Sequence, residues 1–297
     1  MWFKNLSFFR LPEQFTVPED FDELLAPLTL KPLGSVELFT RGFVSPLGGD
    51  HPALSHALQG ARIVRLGTEE KLLPGSVVKQ EVERRARAIE ERDGRRPGKK
   101  QREQLKDDVV AEFTQRAFVK SGAVSGYLDE QARMLIVDSA SDKAAEKLIT
   151  ALREALTTFA VEPAATEESV TVILSEWVKE GQGHHGFVLG DEVELKDPVE
   201  PKTSIKAKRH DLTSEEIRDH VLAGKQVSQL ALIFDDRIGF TLDDKLKVRR
   251  LRFLDLVIDE LGDGGGEAAG EFDARFALMT LEVRRLLDAL HTVFKLH

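Results

Sequence analysis

Lys79–Lys106, KQEVERRARAIEERDGRRPGKKQREQLK, reads as two charged helical arms joined by the breaker Gly94-Arg95-Arg96-Pro97-Gly98. Gly takes up left-handed backbone and Pro lacks an N–H, so the pair ends one helix and starts another. Residues 76–116 are therefore expected to form a helical hairpin with a basic tip. Val77, Val78, Val82, Ala86 and Ile89 give the first arm a thin apolar stripe; Leu105, Val109, Val110 and Phe113 give the second another. Two such stripes can pack on each other and leave the tip projecting. Arg92 to Arg102 holds six Lys/Arg and one acid, a balance of +5 in a chain of −9, which leaves −14 for the rest. Clustered cations suit a polyanion, whose condensed counterions they release, and equally suit a solvated surface hairpin.

Working outward, residues 2–11 read as an opening strand, and 18–28 as a short helix carrying Phe21, Leu24, Leu25 and Leu28 on one face. Strands are expected at 36–44 and 60–66. Between them lie the turn-rich 45–50 and a short helix over 52–58, bracketed by His51 and His56. Beyond the hairpin, AVSGYLD and RMLIVDS read as paired strands, followed by a helix that Ser141 caps. Pro163–Ser169 is the expected connector between two lobes, 1–165 with the hairpin and 166–297 with basic strands and a C-terminal helix.

In the second lobe VTVILSEWVKEG reads as a strand and GFVLGDEVELK as a strand pair. SIKAKRH reads as a strand with Lys206, Lys208 and His210 on one side and Arg209 opposite. Thr213-Ser214-Glu215-Glu216 spells a capping box for the next helix, which Gly224 ends. Two strands follow, turning at Asp235-Asp236, and then the basic Lys245–Phe253. There Lys245, Lys247 and Arg249 share a face, but so do Leu251 and Phe253, so either a bulge near Arg249-Arg250 or the end of the strand is expected. A helix over 254–261 breaks at Gly262–Gly266 before a long amphipathic helix. Both halves repeat an order of strands then helix, so the expected class is a pseudo-duplicated α+β chain of antiparallel sheets.

The 297 residues contain no Cys, so disulfides and thiolate metal sites are excluded. No apolar run reaches spanning length and the start does not resemble a signal peptide, so the cytoplasm is expected and no membrane partner. Phosphate-loop, dinucleotide, zinc-protease and nucleophile-elbow motifs are missing, and neither an enzyme nor a cofactor is expected. Asp235-Asp236 and Asp243-Asp244 read as turn residues, the His184-His185 doublet as loop, and His51 and His56 as polar surface positions. What remains is three basic tracts: the tip, Lys202–His210 and Lys245–Arg252. Aromatics are not interleaved with them, which favours backbone contact to a duplex over stacking on single strands, without excluding the latter.

An ordered series of stretches resembles the bacterial recombination-associated RdgC family: WFKNLSFFRL, EEKLLPGSVVKQ, LKDDV, Arg116-Ala117-Phe118, IVDSASDKAAEKLITALR, LSEWV, GFVLGDEVELK and IKAKRHDLTSEEI. The resemblance implies a sequence-tolerant, nucleoid-associated DNA-binding protein. Its horseshoe-shaped subunits would pair into a ring around duplex DNA and limit loading of the RecA recombinase. It also implies that Arg95, Arg96, Lys99 and Lys100 form the basic finger tip and that Phe118 lies at the junction of a homodimer. Arg209 and His210 stand where the family commonly has Lys and Gln. With Lys206, Lys208, Lys245, Lys247 and Arg249 these make up the expected DNA contacts. Two other readings stand beside it, a protein module acting directly on the recombinase and a nuclease built on Asp235, Asp236 and the histidines.

Overall fold

The Lys79–Lys106 run folds as two helices in the computed structural model, which describes residues 2–49, 51–200, 202–262 and 268–297. In chain order the first half contains β1 (Ser7–Arg10), α1 (Phe21–Leu25), β2 (Phe39–Val44), β3 (Ser55–Leu58), β4 (Ala61–Lys71), α2 (Gly75–Asp93), α3 (Lys99–Arg116), β5 (Val119–Asp129), β6 (Met134–Val137), α4 (Asp142–Leu156) and β7 (Glu162–Pro163). The second contains α5 (Val170–Glu180), β8 (Phe187–Lys196), β9 (Ser204–Lys208), α6 (Glu215–Leu222), β10 (Gln226–Phe234), β11 (Ile238–Asp243), β12 (Val248–Phe253), α7 (Asp255–Glu260) and α8 (Ala268–Phe294). The class is α+β. Among the described residues the strands make two antiparallel sheets, one ordered β2-β4-β5-β6-β1-β7 with β3 on β4, the other β12-β11-β10-β8-β9. The first draws its strands from before residue 165 and the second from after it.

The chain divides into two compact units by another line: Met1–Leu25, Ser45–Arg65 and Val124–His297 form one, Ala26–Val44 and Leu66–Ala123 the other. In the larger unit one core gathers Phe8, Tyr127 and Ile136 from the first sheet and Leu230, Leu232 and Phe240 from the second. Phe276, Met279, Val283, Leu286 and Leu290 of α8 recur at three- and four-residue steps and supply its helical wall. Leu6 and Val248 exchange backbone hydrogen bonds of 2.8 and 3.0 Å, stitching the second sheet to the chain just before β1. In the smaller unit Val78, Val82 and Val109 form a separate apolar cluster with Leu73, Leu105, Val110 and Phe113, so the two thin stripes pack on each other. Gly94 ends α2 at φ 67°, its N–H donating to the Glu90 carbonyl at 2.9 Å.

Several expectations are corrected. Residues 52–58 hold no helix: Ser55–Leu58 is β3, paired to β4 across a two-residue turn in which Gln59 and Gly60 both have positive φ, the geometry of a tight hairpin. VTVILSEWVKEG is α5, not a strand. Ser169 caps it, Gly181 closes it in the left-handed region, and Val170, Leu174, Trp177 and Val178 fall on one helical face, which outweighs the β-branched start. GFVLGDEVELK is one strand, β8, not a pair. Gly190 marks a register shift against β10, where a Cβ on it would lie 2.9 Å from that of Ala231.

The capping box at Ser214 does not form. Its hydroxyl is buried without a partner, while Asp211 accepts from the Thr213 amide and hydroxyl. β9 stops at Lys208 because Arg209 turns with φ 52°, so His210 leaves the face that carries Lys206 and Lys208. Lys245 and Lys247 precede β12, and the bulge alternative holds, since β11 pairs Thr241 with Arg249 and Gly239 with Arg252. β5–β6–α4 and β10–β11–β12–α7 share the order of strands then helix, the second with one strand more. The expected glycine break at 262–266 lies outside the described residues from Asp263 onward.

Candidate nucleic-acid interface

At the hairpin tip Arg95, Arg96, Lys99 and Lys100 are exposed, and no ion pair engages them among the described residues. The arms differ. Glu81 accepts from Arg84 and Arg85, Glu112 from Arg85 at 2.6 Å, and Glu83 from Arg102. Hydrogen bonds from Arg84 and Arg85 hold the Glu81 carboxyl down at about 2. Arg84, Arg85 and Arg102 of the shaft are thus paired with acids, whereas the four cations at the end are open; there Gln101 also accepts from the Gly98 amide to start α3. The same unit holds an open groove of about 1050 Å³ lined by Phe39, Leu73, Val78, Val82, Arg102 and Lys106, among others.

On the second sheet, β8 and β9 set opposite charges against each other: Glu192 faces Lys208 and Glu194 faces Lys206. Lys206 Nζ lies 3.2 Å from Glu194 Oε2. The β12 bulge brings Arg250 to the same face, where its Nη2 is 2.6 Å from Glu192 Oε2 and donates to Thr241 Oγ1 at 2.7 Å. The Arg250 hydrogen bond, aided by the nearby Lys208 and Arg209 charges, lowers the Glu192 carboxyl from its ordinary value. Together these residues line a pit of about 150 Å³. Arg250 belongs to the third basic tract but was not among the expected contacts. The misfit of Leu251 and Phe253 with the alternation was the signal that could have found it.

The remaining expected residues separate. Arg209 is exposed; His210 hydrogen-bonds the Asp211 carbonyl through Nδ1 at 3.0 Å and reaches Glu216 at 3.7 Å through Nε2. Lys245 is exposed. Lys247 is buried, bound to the Asp142 carboxylate and the Ala140 carbonyl, and Arg249 donates to the nearly buried Asp243 at 2.9 Å. These two cations are committed within the chain.

Phe118 is 83% exposed and is no core residue; its carbonyl accepts from the Leu72 amide at 2.8 Å, and Leu72 and Val119 are exposed beside it in the chain and across that bond. Asp235 and Asp236 are left-handed turn residues, Asp235 paired with Arg285. His56 contacts Asp273 at 2.7 Å and His184 contacts Glu180 at 2.7 Å. Among the described residues no three His, Asp or Glu gather in a metal-holding group, and no helix is long and apolar enough to cross a membrane.

Comparison with known proteins gives the chain its relatives. Residues 1–297 match a family model described as "Putative exonuclease, RdgC". The recombination-associated protein RdgC of Xanthomonas axonopodis pv. citri (strain 306) is 43% identical over 298 residues, covering all of this chain and 99% of the relative. The proteins of the same name from Xanthomonas oryzae pv. oryzae (strain MAFF 311018) and Stenotrophomonas maltophilia (strain R551-3) are each 42% identical, with all of this chain and 99% of each relative covered. A match running from the first residue to the last, joined to identity above 40% with proteins covered over 99% of their length, makes this chain a member of the RdgC family of recombination-associated proteins.

Proposed function

We propose that this chain binds duplex DNA with little sequence preference, as a dimer whose horseshoe-shaped subunits close into a ring, and that by occupying DNA it restrains loading and strand exchange by a RecA-type recombinase. The observation that carries the reading is the tip, where four exposed cations stand unpaired at the end of a shaft whose arginines are largely paired with acids. Such segregation concentrates a local positive field on an acidic chain, as a backbone-reading protein requires. Lys206, Lys208, Arg209, Arg250 and Lys245 are further exposed cations, borne by the other unit. Phe118, with Leu72 and Val119, gives a second copy an apolar surface to cover, which supports the dimer.

Titration of bare duplex, with no recombinase present, tests the reading. The expected result is binding that weakens steeply with salt, log K falling by about 0.9 per phosphate contacted for each tenfold rise in salt. Binding that is flat from low to moderate salt overturns it, and so does the absence of binding, which would favour a module acting directly on the recombinase. The family description carries the word exonuclease. Incubation with magnesium or manganese is expected to leave the duplex intact; progressive shortening would replace the binding reading by a nuclease.

A further inference from the structure

The pit on the second sheet is built in two layers. At its floor are the carboxylates of Glu194 and Glu192, with side chains 11% and 25% exposed; above them stand their partners Lys206 and Arg250, 58% and 54% exposed. The arrangement is not a by-product of crowding. β9 is the edge strand of its sheet, and lysines alone would protect such an edge. Acids directly opposite them on β8 reduce the positive charge of the very face that the basic tracts build.

We propose that Glu192 and Glu194 set the DNA affinity of this face by holding Arg250 and Lys206 in a pre-paired state, so that a phosphodiester group binds by exchanging with a carboxylate. The proposal rests on the DNA-binding reading above and adds a resident competitor to it. A phosphate approaching from solvent meets the two cations first, because they are the outer layer. It must share them with, or draw them from, an acid that stays in place and recaptures them when the DNA leaves. The low Glu192 pKa keeps that carboxylate charged throughout the neutral range, so the competition is always present. Among the described residues the tip has no such competitor. One protein would then carry a fully open cationic element and a tempered one, the latter suited to contacts that form and release readily along a backbone.

The test compares the unaltered chain with E192Q/E194Q by fluorescence anisotropy on a duplex oligonucleotide over a series of sodium chloride concentrations. Glutamine keeps a hydrogen-bond acceptor and removes the charge. The expected result is a Kd lowered several-fold at low salt with little change in slope, because the exchange already brings both cations onto phosphates in the unaltered chain. The single variant E192Q, at the more exposed position, should show part of the gain and guards against a folding defect in the double variant. Measured against K206A/R250A, the variant E192Q/E194Q/K206A/R250A should show no such gain. A gain of the same size between these two, in which both cations are absent, would reduce the effect to net charge and overturn the exchange. Binding by the unaltered chain with no gain in either Gln variant overturns this inference alone, whereas failure of the unaltered chain to bind duplex overturns the DNA reading and this inference with it.

Discussion

The Lys247 ammonium donates to the Asp142 carboxylate and, at 3.3 Å, to the Ala140 carbonyl, fastening the turn before β12 to the first residue of α4. The hydrogen bond from Lys247 keeps the Asp142 carboxyl below its usual range. A depressed carboxylate contributes stability above the unfolded pKa and loses it as pH falls through the folded one. Asp142 is largely exposed, so the pair is worth no more than about 1 kcal/mol. D142N should unfold somewhat more easily than the unaltered chain at pH 7. The difference should shrink as pH drops below about 4. Chemical denaturation at both pH values checks it; an unchanged difference in acid would remove Lys247 as the cause.

Reversal of the tip by R95E/R96E/K99E/K100E should leave the unfolding midpoint where it is, since all four side chains are exposed and unpaired. Duplex binding should weaken and its salt dependence become shallower without disappearing, because the second sheet still offers Lys206, Lys208 and Arg250. Binding indistinguishable from the unaltered chain would sink the role of the tip; complete loss would make the sheet contribution untenable.

How much of this could be read from the sequence differs by element. The hairpin was legible because its breaker and both apolar stripes are local. α5 was not, because Val170-Thr171-Val172-Ile173 has strand-like residues, and only the cap at Ser169 with the spacing of Leu174, Trp177 and Val178 reveals the helix. The cations of the site were visible as tracts, but their partners were not. Glu194 meets Lys206 through strand register, and Arg250 reaches Glu192 only because a bulge turns it onto that face, a fact of pairing that no local pattern states. Lys247 looked the same as Lys206 in sequence and differs from it by burial.

Phe118→Ser should change the unfolding free energy by less than about 0.5 kcal/mol, as expected for an exposed side chain. In sedimentation the variant should dissociate at concentrations where the unaltered chain remains paired. A variant that loses DNA binding while still forming a folded dimer would contradict a role in closing the ring.

Val109→Ala removes two methyl groups from the hairpin cluster, a loss of about 1.5 kcal/mol by apolar transfer. Hydrogen exchange should quicken in α2 and α3 while the amides of β10 and β11 stay protected. Loosening across both sheets would show that the cluster is not self-contained.

That closed cluster has a consequence for how such a chain can vary. Because the arms fasten to each other through Val78, Val82 and Val109, the exposed Arg95, Arg96, Lys99 and Lys100 answer to no packing demand, while the buried Pro97 and the left-handed Gly94 hold the turn between them. Exchanged cations there would meet little resistance from the remainder of the molecule. The tip behaves as a cassette: its charge can drift, or be re-engineered, at a pace the sheets never register.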